Sequence, residues 1–280
     1  MQVSTTKRKK CLEVSGGRLS YQASYEMPGL AMQVYSRQCD HCMEGGGEVH
    51  YVSSCASGRI TRMMLADICG SEDVFKRLSC KMRDGLIRSI NSIWQNKVVD
   101  DLSKQFQEFA RQGGFGTASV ATYFAPTRSF VMCNIGNPPP LVFRARHRKW
   151  EVIHGETQST AQNHGNVDGV YGQGEYRHIH AKLELDDTVV LYGNGFARSA
   201  FPAGGIVGHH RLLEALQDAP HTQPDSRLAH LIGLIQGNGV PEEDSTIMVC
   251  RVTNLGVRLR DNLLAPLRLF RRPADLTAFS

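Results

Sequence analysis

The chain has 280 residues, 41% of them hydrophobic, which is enough to bury one large core. Its 32 Lys and Arg residues against 27 Asp and Glu residues leave a net charge of +5, an excess too small to indicate a nucleic-acid-binding protein. No apolar run approaches the ~18 residues that a bilayer-spanning helix needs. The basic residues 7–10 precede a polar stretch and not the apolar segment of a signal peptide, so we expect a cytoplasmic protein.

The first part of the chain is predicted to hold a lead-in, a hairpin and long helices. Residues 1–25 have weak hydrophobic patterning, and we expect a flexible basic lead-in there. Strand patterns follow at 30–37, 50–55 and 60–67. Gly58 supplies a hairpin turn between the last two of them. Apolar residues then recur at helical spacing from Val74 to Trp94, and a second helical stretch covers 98–109.

The rest of the chain has mostly strand patterns. Strand-length apolar runs occur at 118–124, 129–135, 141–145, 150–154, 176–183, 188–192 and 245–252. Helical patterns occur at about 208–217 and 226–236, and the polar, glycine-containing residues 155–175 are predicted to form a long loop. Because hairpins and helices are segregated along the chain and do not alternate, the order of elements predicts an α+β fold.

Cysteine spacing suggests one local site. Eight cysteines are scattered along the chain, and Cys39 and Cys42 among them form a CxxC motif. In a reducing cytosol we expect cysteines to be free thiols and not disulfides. The alternative for this pair is a structural zinc site, although such a site usually needs a second pair of ligands at similar spacing, and the sequence has none.

The tail at 255–280 mixes arginines with leucines, a pattern typical of a basic amphipathic helix. Such a helix would contact a membrane surface or a partner protein. The alternative, which we favour, is a helix that packs on its own domain or a frayed tail.

Five separated segments resemble, in order, motifs of the metal-dependent protein phosphatases of the PPM class, in its SpoIIE-like branch. Residues 46–51 (Gly-Gly-Glu-Val-His-Tyr) resemble the family's Gly-Gly-Asp before a strand, and residues 65–70 (Leu-Ala-Asp-Ile-Cys-Gly) resemble Ala-Asp-Val-Ser-Gly-His-Gly. Residues 133–141 resemble the hairpin that carries Asn-Ala-Gly-His-Pro-Pro in the family. Residues 191–196 (Leu-Tyr-Gly-Asn-Gly-Phe) resemble Leu-Tyr-Thr-Asp-Gly, and residues 243–246 (Glu-Asp-Ser-Thr) resemble Asp-Asp-x-Thr.

The resemblance covers residues 30–252 and implies a PPM-type phosphatase-like domain at 26–254. It implies a four-layer α-β-β-α sandwich, in which two antiparallel sheets face each other and helices cover both outer faces. It also implies a site at one end of the sheets, where strand ends present carboxylates. Each motif alone is weak, but five motifs in the right order are fairly specific for the fold.

The reaction that the resemblance implies is hydrolysis of phosphoserine or phosphothreonine on a protein. Two hard cations, Mn²⁺ or Mg²⁺, neutralise the phosphoryl oxygens and acidify a water molecule in such sites. These cations prefer oxygen ligands. Asp67 matches the family's bridging carboxylate, which makes it the candidate catalytic position, and the carbonyl of Ile68 matches a main-chain ligand.

Other ligand positions depart from the family pattern. Glu48 stands where the family has Asp, which keeps the charge but extends the oxygen by about 1.5 Å. Asn194 also replaces an Asp ligand, and its amide is neutral. Glu243 stands at the first Asp of the last motif with Asp244 directly after it, so either supplies the carboxylate. Glu72 lies where the family loop has His-Gly, and it either repels the phosphate or acts as a substitute ligand.

Taken singly, these acids have ordinary explanations, as a helix cap in the case of Asp67 or as solvated surface acids. Their coincidence with motif positions favours the family but leaves activity open. The hypotheses are an active phosphatase acting on a phosphoprotein, a pseudophosphatase that binds a phosphoprotein or regulator without hydrolysis, and an unrelated scaffold whose contact is the basic tail. No nucleic-acid partner is expected, and the oligomeric state is open.

Overall fold

The computed structural model describes residues 3–8, 12–16, 21–39, 46–55, 58–69, 71–88, 108, 115–159, 175–199, 209–218, 227–236 and 243–254. The strands are β1 (Val3–Arg8), β2 (Leu12–Gly16), β3 (Tyr21–Met27), β4 (Leu30–Arg37), β5 (Gly46–Cys55), β6 (Ile60–Cys69), β7 (Phe115–Phe124), β8 (Ser129–Ile135), β9 (Leu141–Arg144), β10 (Lys149–Val152), β11 (Glu156–Ser159), β12 (Glu175–Lys182), β13 (Thr188–Tyr192) and β14 (Ser245–Val252). The helices are α1 (Glu72–Arg88), α2 (Asn194–Ser199), α3 (His209–Asp218) and α4 (Arg227–Gln236).

The strands form two seven-stranded sheets. Sheet A has the order β1-β3-β4-β14-β13-β9-β10, and sheet B has the order β11-β12-β8-β7-β6-β5-β2. Neighbouring strands pair antiparallel throughout the described sheets, except for the edge strand β1, which runs parallel to β3. The predicted α+β class with two antiparallel sheets is therefore confirmed, with one parallel edge strand added.

Three hydrophobic clusters divide the molecule into four layers. The inner cluster contains residues of both sheets, such as Val34 and Met248 from sheet A and Leu65 from sheet B. A second cluster joins the outer face of sheet A to α3 and α4, and a third joins the outer face of sheet B to α1. This is the predicted α-β-β-α sandwich. Because both faces of each sheet are covered, the central strands are buried almost throughout, as the burial of β6 shows.

The sequence patterns located most elements, with some errors. The expectation of a flexible lead-in at 1–25 is wrong for the described residues, which form β1, β2 and β3. β1 pairs with β3 and β2 pairs with β5, so backbone hydrogen bonds to strands that are not their chain neighbours form them where hydrophobic patterning is weak. β3 forms a hairpin with β4. The predicted loop at 155–175 contains β11, which is formed by backbone pairing with β12 although its own sequence is polar. The short helix α2 was not predicted.

Other predicted elements extend partly or wholly beyond the described residues. The helix predicted from Val74 to Trp94 is confirmed as far as Arg88. The stretch at 98–109, except residue 108, and the tail at 255–280 lie outside the described residues. Within the described ranges, no helix has the length and apolar character needed to cross a bilayer.

His50 is a buried base in the inner layer. It is 1% exposed, and neither ring nitrogen has a hydrogen-bond partner among the described residues. Tyr21 packs beside it, with its ring centroid 5.5 Å away. Burial lowers the pKa of His50 from 6.5 to about 4. The folded protein therefore resists protonation that the unfolded chain accepts.

We expect this histidine to make the fold acid-sensitive. Since the folded pKa lies below the unfolded one, the stabilisation is present above pH ~6.5 and is lost as the pH falls towards 4, by up to about 3 kcal/mol. Urea denaturation at pH 7.5 and 4.5 should show a smaller loss of stability in His50→Leu than in the wild type. The same substitution at exposed His147 is the control, and an equal acid loss in all three proteins would contradict the assignment.

Candidate functional site

At one end of the sandwich, the inward faces of both sheets change from apolar to polar. Side chains alternate between the two faces of a strand. On β6, Met63 and Leu65 belong to the inner cluster, and Asp67 continues the same face. On β14, Met248 belongs to the same cluster, and Thr246 lies on its face one pleat earlier. The acids and hydroxyls that follow the core residues therefore gather between the sheets.

Glu48 and Asp67 lie directly opposite each other on β5 and β6. Cross-strand neighbours on one face have Cβ atoms about 4.5–5.5 Å apart, and like charges in such a pair destabilise the sheet. Thr117 of β7 is the cross-strand neighbour of Asp67 on its other side. The register of three strands thus places two carboxylates and one hydroxyl in a row.

The Glu48 side chain is 3% exposed, and neither of its carboxylate oxygens has a hydrogen-bond partner in the part of the chain that is described. Burial, and then the negative charges of Asp67 and Asp244, raise the pKa of Glu48 well above its ordinary value. The Thr246 hydroxyl and the Gly195 amide lower this pKa in part, but neither makes a hydrogen bond of normal geometry to the carboxylate.

Two glycines after β13 allow close approach at this end. A Cβ atom on Gly193 would lie 1.9 Å from Oε1 of Glu48 and 2.5 Å from its Cδ atom. A Cβ atom on Gly195 would lie 1.9 Å from the main-chain oxygen of Asp244. The family pattern has Thr at position 193 and Asp at position 48. The longer Glu48 side chain therefore occupies the space that the missing side chain at 193 leaves, and the two departures compensate in volume.

Asp244 lies where β14 begins, and its Oδ1 atom accepts a 2.9 Å hydrogen bond from the backbone amide of Cys39. Cys39 is disulfide-bonded, so the prediction of a free thiol is wrong for this residue. A disulfide requires another thiol within reach, which composition does not reveal. Cys42 lies outside the described residues, and the zinc alternative stays untested. The neighbouring Glu243 is half-buried, and its carbonyl accepts a hydrogen bond from the Ser245 hydroxyl.

Asn194 is the first residue of α2 and is half-buried. Its Nδ2 atom lies 3.5 Å from Oγ1 of Thr117 and 3.4 Å from the main-chain oxygen of Gly136. Both partners belong to the other half of the sandwich, on β7 and just after β8. Sequence motifs did not identify Thr117, but the inward face of β7 changes from Tyr123 and Ala121 to Ser119 and Thr117, and the alternation of residues along the strand contains this signal.

Two predicted site residues are oriented away from this cluster. The Ile68 side chain is fully buried in the outer cluster beneath α1, which leaves its main chain for the predicted ligand role. Glu72 is exposed, and its carboxylate lies 2.8 Å from the Lys76 ammonium one turn along the same helix. The structure thus brings together Glu48, Asp67, Asn194 and Asp244, and it holds the Glu72 carboxylate at the helix surface.

The donor chemistry of this cluster suits a divalent cation, although the ligands are not preassembled. Among the described residues, no three His, Cys, Asp or Glu side chains are grouped as ligands of one metal ion. The unpartnered, buried carboxylate of Glu48 opposite Asp67 nevertheless matches the hard oxygen ligands that Mn²⁺ and Mg²⁺ prefer. The residues therefore fit a cation on the Glu48 and Asp67 side of the cluster.

Solved structures share the fold at low sequence identity. The RsbU and RsbW domains of a Mycobacterium tuberculosis protein superimpose with a TM-score of 0.60 at 15% identity, covering 81% of this chain and 61% of that one. The SpoIIE phosphatase domain of Bacillus subtilis gives 0.53 at 11% identity, covering 86% and 93%. The catalytic domain of the serine/threonine protein phosphatase PstP, in complex with 2 manganese ions, gives 0.53 at 17%, covering 80% and 99%.

Sequence comparison identifies the family. No curated protein shows significant sequence similarity to the chain. The family model of stage II sporulation protein E (SpoIIE) matches residues 59–253, which is more than half of the chain. This range contains most of the strands that form the cluster. The chain therefore belongs to the SpoIIE-like branch of the PPM-type protein phosphatases.

Proposed function

We propose that the protein removes phosphate from phosphoserine or phosphothreonine of a regulatory protein partner in the cytoplasm, with Mn²⁺ or Mg²⁺ as its cofactor. The observation that carries this proposal is the buried, unpartnered carboxylate of Glu48 opposite Asp67. When bound, the cation supplies Lewis-acid stabilisation of the phosphoryl oxygens and activation of a water molecule. Family membership supports the same reaction class.

The residues of the chain have separate roles in this proposal. Buried Glu48 and half-buried Asp67 provide negative charge between the sheets, where attraction to a cation is stronger than in water. The amide of Cys39 fixes the orientation of the Asp244 carboxylate, which sheet A contributes, whereas Glu48 and Asp67 belong to sheet B. Thr246 is held by a 3.0 Å hydrogen bond with Ser36, so its hydroxyl lies at a defined place beside Glu48.

The choice of cation follows from the oxygen ligands and is supported by similar structures. PstP was solved with manganese and RsbX with magnesium. The longer reach of Glu48 favours Mn²⁺, because Mg²⁺ demands near-ideal octahedral distances.

A second candidate function is a pseudophosphatase that binds the phosphoprotein without hydrolysis. The neutral Asn194 amide favours it, because this position carries a charged ligand in the family pattern. The scattered arrangement of the acids in the described residues also favours it. The two functions share the fold and the partner and differ in turnover.

We expect manganese-dependent hydrolysis of a phosphothreonine peptide, lowered about 100-fold or more in Asp67→Asn, since removal of one electrostatic stabiliser has effects of this size. Phosphate release measures it. The matched control is Asp84→Asn, an exposed aspartate of α1, which should keep wild-type activity. Equal turnover in Asp67→Asn and wild type would contradict the proposed site. Peptide binding without turnover in the wild type would establish the pseudophosphatase.

A further inference from the structure

Neutral side chains form a continuous hydrogen-bond network beside the site. Oγ1 of Thr117 donates to Oδ1 of Asn137 at 2.5 Å. Nδ2 of Asn137 lies 3.2 Å from the Leu65 main-chain oxygen and 3.2 Å from Oγ of Ser119. Ser119 donates in turn to Oδ1 of Asn134, at 3.1 Å. Asn194 joins the network from the other sheet through Thr117 and Gly136.

Main-chain carbonyls fix the direction of these hydrogen bonds. The Leu65 oxygen can only accept, so Asn137 must turn its Nδ2 atom towards it and its Oδ1 atom towards Thr117. The proton of the Thr117 hydroxyl is then donated to Asn137. What Thr117 offers to position 194 is therefore a lone pair. The Gly136 oxygen offers another lone pair, so position 194 faces two acceptors.

An amide is matched to this environment, and a carboxylate is not. The Asn194 side chain supplies two N–H donors, whereas Asp at this position would turn an oxygen towards two other oxygens. The family pattern has Asp at 194 and His at 137, and both departures lie in the same network, joined by Thr117. The two changes are explained together by one neutral network.

We propose that Asn194 is a hydrogen-bond bridge between the two sheets and not a metal ligand, so that a cation at this end is held on the Glu48 and Asp67 side alone. The bridge connects the start of α2, next to sheet A, with β7 and the turn after β8 in sheet B. It holds the sheets together where the family pattern places a charged ligand. Hydrogen-bond directions on both sides of Thr117 determine the bridge, and only the placement of the cation rests on the proposed function.

Melting temperatures of the metal-free protein test the bridge. We expect Asn194→Asp to lower the melting temperature by about 3–8 °C and to lower it more than Asn194→Ala does, because Asp adds repulsion while Ala only removes weak hydrogen bonds. Repulsion from Glu48 and Asp67 would also disfavour Asp, so both variants are repeated with Thr117→Val. In the Thr117→Val background, the extra decrease in melting temperature of Asn194→Asp relative to Asn194→Ala should fall by at least about half.

A melting temperature of Asn194→Asp equal to or above that of the wild type would overturn the bridge. So would an excess loss that Thr117→Val leaves unchanged, since the acceptor at Thr117 would then have no part in it.

Manganese titration by calorimetry tests whether Asn194 is a ligand. Its replacement by Ala should change the dissociation constant by less than about threefold, because the side chain does not bind the metal. The Asp67→Ala variant is the control and should lose binding. A loss of about tenfold or more in Asn194→Ala overturns the inference. If the wild type binds no manganese, the proposed phosphatase activity fails, and the melting temperatures alone decide the bridge.

Discussion

Gly195→Ala should destabilise the metal-free protein by about 3 kcal/mol or more, because the added methyl group would lie 1.9 Å from the main-chain oxygen of Asp244. A main-chain atom cannot rotate away, so the turn after β13 or the start of β14 must shift. Urea denaturation measures the loss. The matched control is Gly233→Ala in α4, where a Cβ atom meets nothing within 4 Å and where Ala should stabilise the helix slightly. Equal stability of Gly195→Ala and the wild type would show that the close approach is absent.

The same substitution at Gly193 should behave differently. Here the methyl group would meet Oε1 and Cδ of Glu48, which belong to a side chain. Shortening that side chain makes room, so we expect Glu48→Asp to restore most of the stability lost in Gly193→Ala but none of that lost in Gly195→Ala. The double-mutant cycle should yield a coupling energy of about 1–3 kcal/mol for Glu48 and Gly193. Additive effects would contradict the proposed compensation in volume.

Glu48→Gln should stabilise the metal-free protein and abolish manganese binding. Burial and neighbouring negative charge raise the pKa of Glu48 above its unfolded value, so its contribution to stability is fully present below pH ~4.5 and is lost as the pH rises through the folded pKa. The advantage of Gln should therefore be small at pH 4.5 and grow with pH, to about 1–3 kcal/mol. Urea denaturation at pH 4.5, 6 and 8 measures it.

With manganese, the wild type should become more stable than Glu48→Gln, because binding stabilises only the protein that retains the carboxylate. The control is Glu214→Gln, an exposed glutamate of α3, which should show neither the pH-dependent gain nor the loss of binding. A Glu48→Gln variant that is less stable than the wild type at every pH without metal would show that the carboxylate is already compensated in the fold.

Local periodicity was sufficient for the central elements. The bounds of β8, β13 and β14 agree with the predicted strands, and α4 agrees to within one residue. These elements contribute residues to the hydrophobic clusters, so their buried positions are apolar and recur with the period of a strand or a helix. The ordered motifs then indicated the sandwich, which the layers confirm.

Elements at the edges could not be predicted in the same way. β1, β2 and β11 are edge strands, and each is formed by pairing with a strand that is distant or separated by a long segment. The compositions of β1 and β11 are largely polar, so their sequences lack the apolar alternation that predicts a half-buried strand. The sequence alone therefore indicated a lead-in and a loop where the sheets continue.

The sequence by itself indicated candidate acids for the site, since the motifs named Glu48, Asp67 and either Glu243 or Asp244, with Glu72 as a possible substitute. Only the tertiary structure decided how they and Asn194 are used. The register of β5 and β6 sets the two acids opposite each other, and a glycine from the other sheet makes room for the longer one. The partners of Asn194 are 77 and 58 residues away along the chain. Contacts at such separation depend on how two sheets stack, which no local pattern contains.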